Sequence, residues 1–461
     1  MIGCFWRFIW MVVLLYPSLL LSKEQASLPV YVLEKFGDPP SVPVGPLSES
    51  AAKAVQTAFT GAIAPIGSVS RTTWGEANSK ALQSLMAAQD PRVVWLISDL
   101  LRFTSQRELY DELANAAASL LGITFDEQTD NRWHEITDHL IAWNIPAFPT
   151  YLPAKRAIFV NAVHGWDNLF IEGSIDWRMV SWGGVPIDDR PYDQTDSPCS
   201  CIPAVDNPVV TSAEDATWLK DNDIVFGLEV NGEYRAYPRR IMEVREMVND
   251  TLGGRQLGIP YCTLCGAAQA FFTDNLPPNV ERPILRTSGL LIRSNKVMYD
   301  VRTNSIFDTF KGLAVTGPLS EINLQLQQAA VITTDWASWK STYPQTTVLD
   351  ESLALGRNFD LRNTRDADGP IFPIGEIDPR LTVHEDIVGV ISSSGIPVAF
   401  SKGAAYLALK NNEQVVFENV TLQLDAGGIR AIGLDDMPLP SHEAFWFAWS
   451  QFYPQTKVWG R

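Results

Sequence analysis

An aromatic pattern that occurs twice in the carboxy-terminal half of the chain constrains the fold more than any other feature. It reads Trp336-x-x-Trp339-x-x-x-Tyr343-Pro344-Gln345-Thr346-x-Val348 and then, at a constant offset of 110 residues, Trp446-x-x-Trp449-x-x-x-Tyr453-Pro454-Gln455-Thr456-x-Val458. Agreement of this length does not arise by chance. The sequence therefore predicts an ancient tandem duplication and two similar modules that pack together.

The same duplication is visible upstream of the aromatic pattern. There Asp223-Ile224-Val225, Gly232 and Ala236-Tyr237 correspond, at an offset of 163 residues, to Asp386-Ile387-Val388, Gly395 and Ala399-Phe400. The second copy is therefore the shorter one, and it contains no cysteine. We expect one copy to retain a site and the other to support it. The paired aromatics are expected to be packed, because aromatics at three-residue spacing more often form the buried face of a helix than a ligand cage.

Length and composition are those of a globular protein with more than one domain. The chain has 461 residues, which exceeds the ~250–300 at which single hydrophobic cores stop growing. Its 46% hydrophobic and 19% charged residues can form large cores. The net charge of -17 is spread along the chain without a Lys/Arg-rich stripe, so nucleic acid is not expected as a partner.

The first residues predict export. Arg7 is the only charge before Lys23, and an almost unbroken apolar run extends from Phe8 to Leu21. This layout is typical of a secretory signal peptide over residues 1–22, with an uncleaved membrane anchor as the alternative. The mature chain is then expected in the periplasm or outside the cell, and no later run is long enough to span a membrane.

The rest of the chain predicts an α+β protein, in which an N-terminal helical, HEAT-like domain precedes a β-rich, internally duplicated two-module domain. Apolar residues at three- and four-residue spacing predict helices over 48–182, and stacked helical hairpins would offer a surface to a protein partner. A Pro/Gly-rich linker loop covers 183–220. The first β-rich module covers 221–350 and opens with a hairpin around Asn231-Gly232. The second, degenerate module covers 384–461.

The strongest chemical feature is the segment Tyr261-Cys262-Thr263-Leu264-Cys265-Gly266. Its Cys-x-x-Cys spacing allows a reversible disulfide with a depressed thiol pKa, a metal knuckle, or a structural disulfide. Cys199 and Cys201 could complete a four-sulfur site for a transition metal such as Zn, Cu or Fe. A disulfide between such close neighbours is expected to be strained, so cross-pairing with Cys262 and Cys265, or shared metal ligation, is favoured.

The histidines and the common catalytic motifs point to no familiar site. His134 and His139 resemble a zinc-protease pair, but their five-residue spacing points them about 140° apart on a helix, so they cannot chelate one ion from one face. His164, His384 and His442 are isolated in the sequence. The absence of a Gly-x-Ser-x-Gly elbow, a phosphate loop and a dinucleotide fingerprint argues against common hydrolases, kinases and nicotinamide enzymes.

A set of short motifs resembles the bacterial domain-of-unknown-function family 3179 (DUF3179). The resemblance covers about Ile202 to Trp459 and is carried by Asp206-Asn207-Pro208, Gly232, Arg235-Ala236-Tyr237-Pro238, Glu246, Val248-Asn249-Asp250-Thr251, Gly253-Gly254, Tyr261-Cys262-x-x-Cys265-Gly266, Ser288-Gly289-Leu290 and Ser294-Asn295-x-Val297-Met298-Tyr299-Asp300. The resemblance implies an exported bacterial protein whose Cys-x-x-Cys-Gly motif is Cys262, Cys265 and Gly266. It implies no particular activity.

One departure from the family pattern concerns Arg245. The resemblance implies a histidine just before the Glu of the Glu-x-x-Asn-Asp run, whereas this chain has Arg245 before Glu246. Arginine neither ligates a metal nor shuttles protons near neutral pH, because its pKa exceeds ~12. Arg245 is instead expected to stabilise a thiolate at Cys262 electrostatically.

These observations predict an exported protein of thiol redox or metal-binding type, with Cys262 and Cys265 as the reactive pair. Asn249 and Asp250 are expected to hydrogen-bond around the site and to help bind its cofactor, although a turn after a short helix would favour the same residues. The alternative, from a different class, is a non-catalytic extracytoplasmic scaffold with structural disulfides. The redox or metal hypothesis requires an ion or a polar opening beside the two sulfurs.

Overall fold

The structure is a computed structural model that describes residues 28–66, 69–125, 131–195, 197–351 and 369–460. The predicted signal peptide, residues 1–22, lies outside the described residues. Within the described ranges, no helix combines the length and the apolar character needed to cross a membrane.

The helices are short, and most of them precede the first large sheet. They are α1 (Val30–Phe36), α2 (Glu49–Phe59), α3 (Glu76–Ala88), α4 (Val94–Leu101), α5 (Arg107–Leu121), α6 (Arg132–Ala142), α7 (Tyr151–Ala162), α8 (Arg239–Arg245), α9 (Gly317–Glu321), α10 (Trp336–Thr342), α11 (Lys402–Lys410) and α12 (Trp446–Phe452), with 3-10 turns at Pro91–Val93 and Trp177–Met179.

The strands are also short, and most lie after residue 180. They are β1 (Ile63–Ile66), β2 (Val69–Thr72), β3 (Val180–Trp182), β4 (Val205–Asp206), β5 (Val210–Ser212), β6 (Ile224–Val230), β7 (Glu233–Pro238), β8 (Met247–Leu252), β9 (Arg255–Cys262), β10 (Ala267–Ala268), β11 (Ala270–Phe272), β12 (Leu285–Ile292), β13 (Asn295–Asp300), β14 (Ile306–Asp308), β15 (Leu313–Ala314), β16 (Gln327–Ala329), β17 (Ile332–Asp335), β18 (Thr347–Leu349), β19 (Asp386–Ile391), β20 (Pro397–Ser401), β21 (Val415–Phe417), β22 (Val420–Asp425), β23 (Gly428–Ile432), β24 (Ser441–Phe445) and β25 (Lys457–Val458).

Apart from the β1–β2 hairpin, the strands of the described chain form five small sheets arranged like the blades of a β-propeller. We name them by strand order: sheet A is β15-β14-β13-β12-β3, sheet B is β16-β11-β9-β8-β4 with β10 on β9, sheet C is β17-β6-β7-β18-β5, sheet D is β24-β19-β20-β25, and sheet E is β21-β22-β23.

The predicted fold class is therefore wrong. The protein is mostly β with only 29% helix, and it is not a HEAT-like helical domain followed by a two-module β domain. The helices share one hydrophobic core with sheet A, in which Trp95 and Phe159 lie with Leu290 and Val297. The reason for the error is that helical periodicity shows which face of a helix is buried, but not whether a second helix or a sheet covers it.

A buried ion pair fastens the helices to sheet A. Lys155 of α7 is fully buried, and its ammonium donates to Asp99 of α4 at 2.6 Å and to the carbonyl of Val180 in β3 at 2.7 Å.

The predicted linker loop, residues 183–220, also contributes to the sheets. It supplies β4 to sheet B and β5 to sheet C.

Local sequence signals set several element boundaries. Ser48 begins α2 by accepting a hydrogen bond from the amide of Ala51 at 3.2 Å, which satisfies a free amide of the first turn. Asn231 and Gly232 have φ values of 51° and 79° and form the tight turn between β6 and β7. The predicted hairpin is confirmed.

The duplicated sequence has a duplicated structure. The order β17-β6-β7-β18 in sheet C recurs as β24-β19-β20-β25 in sheet D, and in each sheet the last pair is parallel. Trp339 and Trp449 are buried and donate from Nε1 to Thr346 Oγ1 at 2.9 Å and to Thr456 Oγ1 at 2.8 Å. The predicted packing role of the aromatic pattern is confirmed.

The strand register refines the correspondence between the two copies. Gly227 pairs with Ala236 in sheet C, and Gly389 pairs with Ala399 in sheet D. Gly227 thus corresponds to Gly389, one residue away from the match that the Asp-Ile-Val runs predict. Packing explains the shift, because a Cβ at Gly227 would lie 2.2 Å from the Trp339 ring and a Cβ at Gly389 would lie 2.3 Å from the Trp449 ring.

We expect Gly389→Ala to destabilise the protein by about 1–3 kcal/mol, since the added methyl overpacks the Trp449 ring. Gly403→Ala is the matched control, because Gly403 lies in α11 with no atom within 4 Å of an added Cβ. The control should be neutral or stabilising by up to about 1 kcal/mol, from helix propensity. Denaturant unfolding measures both variants, and equal stability of the two would contradict the packing argument.

His442 of β24 is buried between sheets D and B. Gln328 of β16 hydrogen-bonds to its Nδ1 at 2.8 Å, and the rings of Phe310 and Trp449 lie 5.7 and 5.5 Å away. Burial lowers the pKa of His442 to about 3, compared with ~6.5 in an unfolded chain. Between these values the unfolded chain binds a proton that the folded protein does not, so stability is lost as the pH falls from 6.5 towards 3.

We expect His442→Gln to flatten the acid side of the stability profile. In the wild type this histidine should remove up to about 1.4 kcal/mol of unfolding free energy per pH unit below ~6.5. Denaturant unfolding between pH 7 and pH 5 measures the slope. His164→Gln, at an exposed position, is the control and should keep the wild-type slope. Identical slopes for the wild type and His442→Gln would refute the assignment.

Candidate functional site

The Cys-x-x-Cys motif forms the turn of a hairpin in sheet B. Cys262 ends β9 and pairs with Ala267 of β10, and the Cys265 amide donates to the Cys262 carbonyl at 3.2 Å. Cys262 and Cys265 are joined by a disulfide. Gly266 has a φ of 63°, and a Cβ there would lie 3.0 Å from Phe445, so the turn favours glycine on both counts. The disulfide thus lies where the first repeat touches the second.

One of the two sulfur-bearing residues lines a cavity of about 290 Å³. Cys262 is 3% exposed and belongs to the cavity wall, whereas Cys265 is 0% exposed and lies behind it. The wall is mostly apolar and includes Val185, Ile202, Leu264, Leu290, Leu291, Val297, Ile371 and Phe372. The polar part of the wall includes Glu246, Thr263, Thr287 and Lys296. The cysteine turn therefore borders a cavity whose wall is partly polar.

A buried ion pair holds the cysteine turn from both sides. Lys296 of β13 lies 3.0 Å from Glu246 Oε2 and donates to the carbonyls of Tyr261, at 3.0 Å, and Glu246. Thr263 Oγ1 donates to Glu246 Oε1 at 3.2 Å. Burial lowers the pKa of Lys296, and the neighbouring Glu246 opposes that shift. The pair thus contacts the residues directly before and after Cys262.

Arg245 has a different partner from the one predicted. Its guanidinium forms an ion pair with Glu351 at 3.1 Å, and Glu351 also accepts from the amide of Val209 at 2.8 Å. Within the described chain, the cation in the cavity wall is Lys296 and not Arg245. The expected effect of Arg245 on the Cys262 thiolate stays a prediction.

Asn249 and Asp250 lie in strand β8 and not in a turn, so the turn interpretation is wrong. Asn249 donates to Asp206 Oδ1 at 2.8 Å and accepts from the amide of Leu285, in sheet A, at 3.0 Å. Asp250 faces the opposite side, as adjacent strand residues do. It accepts from Arg235 of sheet C at 2.6 Å and from Tyr237 at 2.7 Å. Asn249 and Asp250 together link sheet B to sheets A and C. Their role in cofactor binding stays a prediction.

The second cysteine pair closes on itself. Cys199 and Cys201 form a disulfide with each other, so the favoured cross-pairing is wrong. In the described ranges the group with metal-ligand spacing is Asp188, Cys199 and Cys201, with ligand atoms within 4.8 Å of one another, and it does not include Cys262 or Cys265. The structure therefore does not bring the four sulfurs of the predicted metal site together.

The Asp188 group fits a metal ion poorly. Both carboxylate oxygens of Asp188 accept from Arg190, each at 2.7 Å, and one also accepts from the amide of Ala204 at 2.8 Å. The guanidinium already neutralises the carboxylate and would repel a cation. The disulfide leaves neither cysteine as a thiolate ligand.

Helix α6 positions the outer wall of the cavity. Asp138 accepts from the amides of Ile374 and Gly375 at 2.9 and 2.7 Å, and His134 contacts the carbonyl of Pro370 at 3.2 Å. These bonds anchor the strip that carries Ile371 and Phe372. His134 pairs with Asp138 at 2.9 Å, and His139 contacts the carbonyl of Glu135 at 2.8 Å, so each has its own partner.

Sequence reasoning missed the Glu246–Lys296 pair as part of the site. One signal could have found it: Lys296 is a charged residue in a strand that continues with Val297, Met298 and Tyr299. A lysine is almost never fully buried unless it is paired. A lysine in a buried strand therefore predicts a buried carboxylate nearby, although it does not say which one.

The fold and the site together define a mostly β protein that carries a disulfide in the wall of a largely apolar cavity. The family described as a protein of unknown function (DUF3179) matches residues 199–437. Because the match covers more than half of the chain, the protein belongs to the DUF3179 family. No curated protein and no solved structure matches the chain.

We expect Lys296→Met to destabilise the protein by about 3–5 kcal/mol, because it leaves the Glu246 carboxylate buried without its cation. The double variant Lys296→Met/Glu246→Gln should recover part of this loss, since the uncompensated charge is gone. Lys80→Met, which removes an exposed ion pair with Glu76, is the control and should cost less than about 1 kcal/mol. Denaturant unfolding measures all three, and a double variant less stable than the single one would contradict the pairing.

Proposed function

We propose that this protein is an extracytoplasmic thiol–disulfide redox protein in which the Cys262–Cys265 bond is the reacting group. The observation that carries the proposal is the position of Cys262 in the cavity wall with Cys265 behind it. Cys262 is the residue of the pair that lines the cavity, so an attacking thiolate is expected to reach the disulfide at Cys262 and not at the fully buried Cys265.

The exchange has two steps. A substrate thiolate attacks Cys262 Sγ, the bond between Cys262 and Cys265 breaks, and its electron pair moves to Cys265 Sγ, which takes up a proton. A second substrate thiolate then attacks the substrate sulfur of the mixed disulfide and releases Cys262. Two substrate thiols are oxidised to a disulfide, and the protein disulfide is reduced to two thiols.

The surroundings favour these steps. After reduction, the Cys265 thiol has a hydrogen-bond acceptor within reach, because the carbonyl oxygen of Ser294 lies 3.9 Å from its sulfur. The Lys296 ammonium lies in the same cavity wall as Cys262 and bonds to the carbonyl of Tyr261, the preceding residue. The Glu246–Lys296 pair therefore holds the backbone around Cys262 in place, and the expected effect of Arg245 on the Cys262 thiolate stays a prediction.

Export is part of the proposal. Disulfides persist in oxidising compartments and are rare in the cytosol. The two disulfides of the structure and the apolar run after Arg7 both support a periplasmic or secreted location.

A structural staple is the second candidate function. It is favoured by the complete burial of Cys265 and by the hydrogen bond from the Phe445 amide to the Cys265 carbonyl at 2.8 Å. In that case the disulfide only closes the hairpin against sheet D, and the protein is a non-catalytic scaffold.

Native-state reduction separates the two functions. The folded, oxidised protein is treated with dithiothreitol and quenched in acid, and the cysteines are then alkylated under denaturing conditions and located by peptide mass. We expect alkylation at Cys262 and Cys265, because the cavity gives the reductant access. Reduction of this bond only when dithiothreitol is added to the unfolded protein would establish the staple and overturn the redox function.

Two double variants serve as controls for this experiment. Cys199→Ser/Cys201→Ser should keep the native-state labelling of the Cys262–Cys265 pair. Cys262→Ser/Cys265→Ser should lose it, while circular dichroism shows that both variants remain folded.

A further inference from the structure

We infer that the Cys262–Cys265 disulfide exchanges with a small, uncharged dithiol that enters the cavity, and not with cysteines of another protein. The inference rests on the proposed redox function and adds the substrate class. Three properties of the site carry it: access to the sulfur, the chemistry of the wall, and the volume.

Access to the sulfur excludes a protein substrate. Thiol–disulfide exchange needs the attacking sulfur to approach along the axis of the bond that breaks. Cys265 is completely buried and Cys262 is 3% exposed, so the outer surface offers no sulfur to a docked chain. The space that borders Cys262 is the cavity, whose wall includes Leu264 of the cysteine turn and Phe372 of the outer strip.

The chemistry of the wall excludes a charged substrate. The apolar part of the wall comes from β12 and β13 of sheet A and from the flanking segments that carry Val185 and Ile371. Its two charges, on Glu246 and Lys296, neutralise each other at 3.0 Å. The Lys296 ammonium already donates to Glu246 and to the Tyr261 carbonyl. A charged ligand would lose its hydration here without gaining a partner, which is costly.

The volume favours one dithiol over two separate thiols. A cavity of about 290 Å³ lies at the lower end of the roughly 300–1,000 Å³ typical of ligand pockets. A small molecule that carries both thiols fits this volume, and its second thiol stays beside the mixed disulfide once the first has reacted. With a monothiol, the mixed disulfide at Cys262 would be reversed by Cys265 before another thiol entered. A dithiol completes the exchange within the cavity.

The test compares reductants on the folded wild-type protein. The probes are 1,3-propanedithiol, which is small and uncharged, glutathione, which is charged, and a water-soluble peptide that carries Cys-Gly-Gly-Cys. Rates of native-state reduction of the Cys262–Cys265 bond are compared after correction for each thiol's pKa. We expect 1,3-propanedithiol to react at least about tenfold faster than either of the others, because it alone matches the wall.

A cavity-filling variant tests the route. Val185 is half-buried in the wall, so Val185→Trp should reduce the rate with 1,3-propanedithiol by about tenfold or more by filling part of the cavity. Val209→Trp, at a 63% exposed valine outside the wall, is the matched control and should keep the wild-type rate. Thermal unfolding of both variants shows whether the folded state is retained.

The outcomes separate this inference from the redox function on which it rests. Equal or faster reaction of the peptide would overturn the exclusion of protein substrates, and equal reaction of glutathione would overturn the exclusion of charge. Both results would leave the redox function intact. If none of the reductants opens the bond in the folded protein, the redox function itself fails.

Discussion

The arrangement of the sheets depends on buried ion pairs that join neighbouring sheets. Arg286 of sheet A pairs with Asp206 of sheet B at 2.7 Å, and Asp250 of sheet B pairs with Arg235 of sheet C at 2.6 Å. Removing one partner of such a pair leaves an uncompensated charge in the interior and costs about 3–5 kcal/mol. Small sheets with mostly apolar faces could pack in several registers, whereas a buried charge is satisfied only in a register that brings an opposite charge within reach. The Glu246–Lys296 pair follows the same principle, so the site is built from the contacts that set the order of the sheets.

The sequence predicts local features of this fold well and long-range ones poorly. The hairpin at Asn231-Gly232 and the packing of the duplicated aromatics follow from turn chemistry and periodicity. The propeller-like arrangement does not, because nothing in the sequence shows that Val205 pairs with Val248, or that sheet A covers the face containing Phe159. Helical periodicity over 48–182 therefore predicts a helical domain of its own, whereas in the structure the buried faces of these helices pack on sheet A.

The candidate site shows the same difference between local features, which the sequence predicts, and long-range contacts, which it does not. The Cys-x-x-Cys spacing identifies Cys262 and Cys265 as the chemical centre, and the structure places one of them in a cavity wall. Glu246 and Lys296 are 50 residues apart, and only the fold brings them together. The cation in the cavity wall is Lys296, whereas Arg245, the sequence neighbour of Glu246, forms an ion pair with Glu351.

The second repeat contains no cysteine, but it packs directly against the cysteine turn of the first repeat. Phe445 of sheet D lies against Gly266 and donates from its amide to the Cys265 carbonyl at 2.8 Å. Cys262 and Cys265 share a hydrophobic cluster with Phe445 and Trp446 of the second repeat. Sheet D therefore covers Cys265, and under the proposed redox function this cover leaves Cys262, in the cavity wall, as the residue that a substrate thiolate attacks.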